Sequence, residues 1–145
     1  FKQLDSKTGT GIRECFSSAA AMIAAFYSRV KTDDEYNKIR SQFGDTTSVQ
    51  AQLAALRSLG LEAEFRKDGD ADMVELEIEN GRPVLVGWLD KGNMLRGEPP
   101  GSYGSSGHWS VISGYAGKNS ADPEWIMQDP RGYPEMEKED TVIRI

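Results

Sequence analysis

The sequence predicts an α+β domain, with helices first and a mostly antiparallel sheet after them. Two patterns carry this. Through the first 60 positions the apolar residues recur at helical spacing, whereas from Pro83 onward they gather in short runs of Val, Ile and Trp between turn residues. Size supplies a third constraint: 145 residues, 38% hydrophobic and 28% charged, suit one domain with one core and not a disordered chain. A single domain over 1–145 is expected, helical to about residue 60 and mainly sheet beyond.

Residues 1–14, polar and carrying Gly9 and Gly11, read as loop. A helix starts at Cys15, because Phe16, Ala19, Ala20, Ile23, Phe26, Tyr27 and Val30 fall on one face, and its Ala-rich middle permits close packing. A second runs from Asp33 to Phe43, with acids in its first turn and Gly44 as its stop. A third spans about Ser48 to Leu59, capped by Thr47 or Ser48, closed by Gly60, and lined inside by Val49, Leu53, Leu56 and Leu59. Leu61 to Phe65 reads as a short strand. Asp72 to Glu79 reads as a short helix leaving through Asn80-Gly81. Four strands follow at Pro83–Leu89, His108–Tyr115, Trp125–Gln128 and Thr141–Ile145. Between the first two lies a Gly/Pro/Ser-rich loop, Asp90 to Gly107, long enough to suggest function.

Charge and composition exclude several classes of activity. A net charge of −6 argues against nucleic acid and against a membrane surface, both of which require clustered Lys and Arg. The longest apolar run, Ala19 to Phe26, is far shorter than the roughly 20 residues of a membrane-spanning helix. With 1 Cys and 1 His, no intrachain disulfide can form and a zinc site lacks ligands. Asp68, Asp70, Asp72 and Glu79 mimic the spacing of a calcium loop, but Met73 stands where the sharp turn needs Gly, so the acids are read as a turn capping a helix at Asp72. No metal and no organic cofactor is expected. The chain opens on Phe1 and is expected to be a monomeric module of a larger chain; the lone thiol leaves its compartment undecided.

Three residues could do chemistry together. Cys15 falls where the loop ends and the helix begins, and the free N–H groups and dipole of a helix start favour a thiolate, so Cys15 is a candidate nucleophile, with a buried structural Cys as the alternative. His108, the only imidazole, opens a strand behind Gly104-Ser105-Ser106-Gly107 and is the candidate base. If strands 108–115 and 125–129 form a hairpin about the turn 116–123, Asp129 stands opposite His108 and can orient its ring; otherwise Asp129 is a turn-forming Asp-Pro step. Trp109, beside His108, could shield the pair or line a substrate groove, and Phe16 is placed with it as a substrate-binding candidate.

In order, Gln3-Leu4-Asp5, Glu14-Cys15-Phe16-Ser17-Ser18-Ala19-Ala20-Ala21-Met22, Gly81-Arg82-Pro83-Val84-Leu85-Val86, Gly107-His108-Trp109-Ser110-Val111 and Gln128-Asp129-Pro130-Arg131-Gly132 resemble the papain-like cysteine peptidases of the C39 and C39-like group. Phe16 departs from that pattern, which usually has Gly after the Cys. The resemblance implies a papain-like fold, with an N-terminal helical lobe that carries the Cys at a helix start and packs on an antiparallel sheet carrying His and Asp. It also implies a Cys15–His108–Asp129 triad and an oxyanion hole made by the Gln3 amide and the Cys15 N–H. The expected activity is amide hydrolysis through an acyl-enzyme on a peptide, preferably a bacterial cell-wall peptide in a lysin-type, secreted or wall-directed setting. A leader-peptide peptidase, an acyl transferase and a non-catalytic peptide-binding relative are the alternatives.

Overall fold

A computed structural model describes residues 14–89, 107–116, 124–130 and 141–144. Four helices come first: α1 (Cys15–Phe26), α2 (Asp33–Arg40), α3 (Val49–Ser58) and α4 (Ala71–Glu79). They are followed by β1 (Val84–Leu89), β2 (Gly107–Ala116), β3 (Glu124–Gln128) and β4 (Thr141–Arg144), an antiparallel sheet in the order β1-β2-β3-β4. Each strand pairs with its neighbour in sequence, so the sheet is a meander. Among the described residues no helix is long and apolar enough to cross a membrane.

Local chemistry sets the helix ends. Thr32, Ser48 and Asp70 each accept the backbone N–H three residues on and so cap α2, α3 and α4. The cap of α4 is therefore Asp70 and not Asp72, which lies inside the first turn. At the other end, α3 and α4 close with Gly60 and Gly81 at φ +80° and +75°, where a side chain would be strained. The residue after each glycine then reaches back to a helix carbonyl, Leu61 to Leu56 and Arg82 to Glu77. In α1 the same closure is made by Ser28 at φ 59°, with Arg29 N–H donating to Ala24.

Among the described residues, two apolar clusters form the core. The first joins α1, α2 and α3 through Ala20, Ala21, Ala24, Val30, Tyr36, Ala55 and Leu56, with Leu85 of β1 against it. The second fills the space between α4 and one sheet face, where Ile112, Trp125 and Met127 meet Val74, Ile78 and Val86.

Four expectations change here. Phe26 and Tyr27 are exposed, while Ser17 and Ser18 are buried in their place, because α1 turns its small residues to the core. Helix α2 stops at Arg40; tight turns carry the chain to Phe43 as the Arg40 guanidinium captures the Gly44 carbonyl at 2.6 Å. The inner face of α3 is Ala51, Gln52, Ala55 and Leu56, with Val49, Leu53 and Leu59 only half-buried. Leu61 to Phe65 is not a strand. Leu61 and Ala63 do pack on the first cluster, but the Ala63 carbonyl is met by the Arg57 side chain at 2.9 and 3.1 Å and not by a strand. Ile145, most of the 90–107 loop and residues 1–13 lie outside the described residues.

Candidate active site

Cys15 is the first residue of α1 and is half-buried. Glu14 before it makes no side-chain capping bond, so the N–H groups of the first turn are not covered by a cap. Burial pushes the Cys15 thiol up. Against that act a hydrogen bond to the His108 side chain, the His108 charge, and the backbone N–H groups of Trp109 and Phe16, and together they bring the thiol below its ordinary value of 9.0.

His108 is 1% exposed, and its Nε2 lies 2.8 Å from Asp129 Oδ1. Nε2 therefore carries the proton donated to the carboxylate, which leaves Nδ1 as the nitrogen for the thiol. Burial alone would lower the basicity of His108. The hydrogen bonds to Asp129 and to Cys15, with the charge of each, outweigh it and raise the pKa from 6.5 to about 9. A lowered thiol beside a raised imidazole means that each group favours the charged form of the other, the electrostatic basis of a thiolate–imidazolium pair.

The hairpin that brings Asp129 to His108 differs in register from the expected one. Val111 pairs with Gln128, so Ser110, and not His108, stands level with Asp129. The shift of two residues preserves the face, because strand side chains alternate with period two. A β-bulge makes this possible. Nearer the turn, Gly114 pairs with Ile126 and Tyr115 with Trp125; Ser113 is then the extra residue before Ile112 meets Met127. Had the outer register run on unbroken, Val111 would stand level with Asp129, and the carboxylate would share a face with Val111, away from the imidazole.

The neighbours of Cys15 and His108 in sequence also meet. Phe16 and Trp109 stack with ring centroids 3.8 Å apart and planes 5° from parallel, and Phe65 lies tilted 6.4 Å from Trp109. Phe16 is 4% exposed, so the ring expected to bind substrate is a packing residue that ties the start of α1 to β2. Trp109 is half-buried and lies over Gly87, its cross-strand partner in β1.

Beneath the start of α1 sits a buried polar network that the apolar periodicity of the sequence does not reveal. Gln52 accepts from the Tyr36 hydroxyl at 2.6 Å and donates to Ser17 Oγ and to the Thr46 carbonyl at 2.8 Å each, while Ser17 and Thr46 share a bond of 2.7 Å. Beside it, Asn37 Nδ2 donates to Glu14 at 3.4 Å and Arg40 donates to Asn37 at 3.3 Å. Both chains anchor the residues that flank Cys15. The available signal was the run of polar residues, Asn37, Gln52 and Ser17, at positions facing other helices.

Gln3 lies outside the described residues, as do Arg131 and Gly132. Among the described residues no group of three or more His, Cys, Asp or Glu side chains could hold a metal ion. Asp68 is instead bound to Arg66 at 2.9 Å.

A family model described as "Papain-like cysteine protease AvrRpt2" matches residues 3–142. No curated protein and no solved structure matches significantly. The matched family differs from the C39 group that the motifs resemble; papain-like cysteine peptidases are what the two readings have in common.

Proposed function

The chain belongs to the papain-like cysteine protease family described by AvrRpt2, and on that premise we propose that it is a peptidase working through Cys15, His108 and Asp129. The Cys15 thiolate attacks a peptide carbonyl, and the His108 imidazolium returns its proton to the leaving amine, which departs as the acyl-enzyme forms. His108, now neutral, takes a proton from water, whose oxygen attacks the thioester and releases the acid. Asp129 holds the ring in the required tautomer throughout. The N–H of Cys15 and the side-chain amide of Gln3 bind the oxyanion.

The observation that supports this reading is one buried imidazole, bonded at 2.8 Å to Asp129 and hydrogen-bonded on its other side to a thiol of lowered pKa. The family description favours a polypeptide substrate; the motif resemblance alone supports a bacterial cell-wall peptide. Wild type and Cys15→Ala are incubated with a mixture of unfolded polypeptides and, separately, with purified peptidoglycan, and the products are read by mass spectrometry. New peptide termini produced by wild type alone support a protease, and release of wall peptides moves the substrate to the cell wall. Cleavage by Cys15→Ala, or by neither protein, overturns the reading. Gln3→Ala is expected to lower kcat by about 10²–10³ with little change in KM.

A further inference from the structure

His108 and Asp129 do not stand alone on their sheet face. Ser110 is two residues from His108 on the same strand and level with Asp129 across the hairpin, so all three side chains share one side. It is 0% exposed, and its Oγ donates to Asp129 Oδ2 at 3.3 Å, while the other carboxylate oxygen, Oδ1, takes the His108 Nε2 proton at 2.8 Å. A hydroxyl at that position is not demanded by packing: its partner across β1 is Val86, and the next residue on this face is Ile112. A small apolar residue would fit the site as well, at the cost of the hydrogen bond that Ser110 gives to the buried Asp129 Oδ2.

We propose that Ser110 is a positioning residue that fixes the Asp129 carboxylate from the side opposite His108. Rotation of the Asp129 carboxylate about its Cβ–Cγ bond moves the acceptor away from the His108 ring, and the hydrogen bond from Ser110 to the second oxygen opposes that rotation. Held at both oxygens it has one orientation, and His108 is kept with Nε2–H toward Asp129 and Nδ1 toward Cys15. Ser110 acts on His108 through Asp129. This inference rests on the proposed peptidase reading for its kinetic consequence, but not for its structural one.

Ser110→Ala removes only the hydroxyl and Ser110→Thr restores it. Because the chain has 1 His, the Nε2 proton of His108 gives a single downfield resonance in the proton NMR spectrum, and this readout needs no substrate. In Ser110→Ala that resonance is expected to broaden through faster exchange with water, alkylation of Cys15 by iodoacetamide at neutral pH to slow, and kcat to fall about tenfold with KM unchanged. Ser110→Thr should recover all three. An unchanged resonance in Ser110→Ala, or a Ser110→Thr protein that behaves like Ser110→Ala while remaining equally folded, overturns the proposal. Loss of stability in Ser110→Ala with wild-type resonance and kcat overturns it too, by assigning the hydroxyl to the fold alone. Activity that survives Cys15→Ala sinks the peptidase reading instead, and the resonance then still decides whether Ser110 holds Asp129.

Discussion

Gly87→Ala tests whether the aromatic stack ties the thiol to the imidazole. A Cβ built on Gly87 meets the Trp109 ring at 3.0 Å from Cη2 and Cζ2 and 3.1 Å from Cζ3. Carbon atoms prefer roughly 3.5–4.0 Å, so the ring must move by about 0.5–1 Å. It cannot do so without disturbing its stacking on Phe16 at 3.8 Å. Overpacking of this kind costs about 1–3 kcal/mol. Phe16 adjoins Cys15 and Trp109 adjoins His108, and a displacement of about 1 Å between reacting groups can cost as much as 10² in rate. Urea unfolding should therefore show a loss of about 1–3 kcal/mol, and iodoacetamide should alkylate Cys15 more slowly at pH 7. Gly114→Ala is the control, since its Cβ meets Ile126 at ordinary van der Waals distances, 3.4 Å from Cδ1, 3.8 Å from Cβ and 4.0 Å from Cγ1; it should be close to neutral in both assays. A Gly87→Ala protein with wild-type stability and alkylation rate would refute the argument, by showing that Trp109 shifts without consequence for Cys15.

Gln52→Leu keeps the volume but strands the Tyr36 hydroxyl and the Thr46 carbonyl in the interior, so urea unfolding should register a loss on the order of 2–6 kcal/mol. His108→Ala removes the hydrogen bond and charge that oppose burial at Cys15, so the thiol pKa should rise and alkylation at pH 6.5 should slow; equal rates in the two proteins would mean that the side chains do not meet. With His108 raised from 6.5 to about 9, its contribution to stability is fully present below about pH 6.5 and is lost as the pH rises through about 9, and the basic limb of a kcat/KM profile should fall near pH 9. Asp129→Ala removes the largest of the interactions that raise His108, and the same limb should move to lower pH.

Much of the plan was legible in order along the chain. Helix starts and stops are written in short polar and glycine signals, and Ser48, Gly60 and Gly81 act as such signals do, because a cap depends on residues within one turn of it. Cys15, His108 and Asp129 stood out because a single thiol and a single imidazole leave few candidates, and because the strand pattern predicts a hairpin. Leu61–Phe65 failed as a strand for the converse reason: Leu61 and Ala63 pack half-buried on the first cluster while Phe65 stays exposed, but a strand also needs a partner for its backbone, and Arg57 took that place at Ala63. The burial of Phe16 was not legible, because an aromatic ring beside a candidate nucleophile has the same sequence whether it faces a cleft or stacks on Trp109.

What the sequence determined by itself was the alternation of side chains along each strand, which puts His108 and Ser110 on one face of β2. Only the tertiary structure decided that Asp129 joins them. One added residue, Ser113, changes the pairing from Gly114–Ile126 to Ile112–Met127 and so moves Asp129 from the Val111 side of the sheet to the His108 side. The physical reason is that side-chain direction within a strand follows from local backbone geometry, whereas register between strands follows from which hydrogen bonds and core contacts close together. Those contacts, Ile112 with Met127 and Trp125 against α4, belong to residues far apart in the chain.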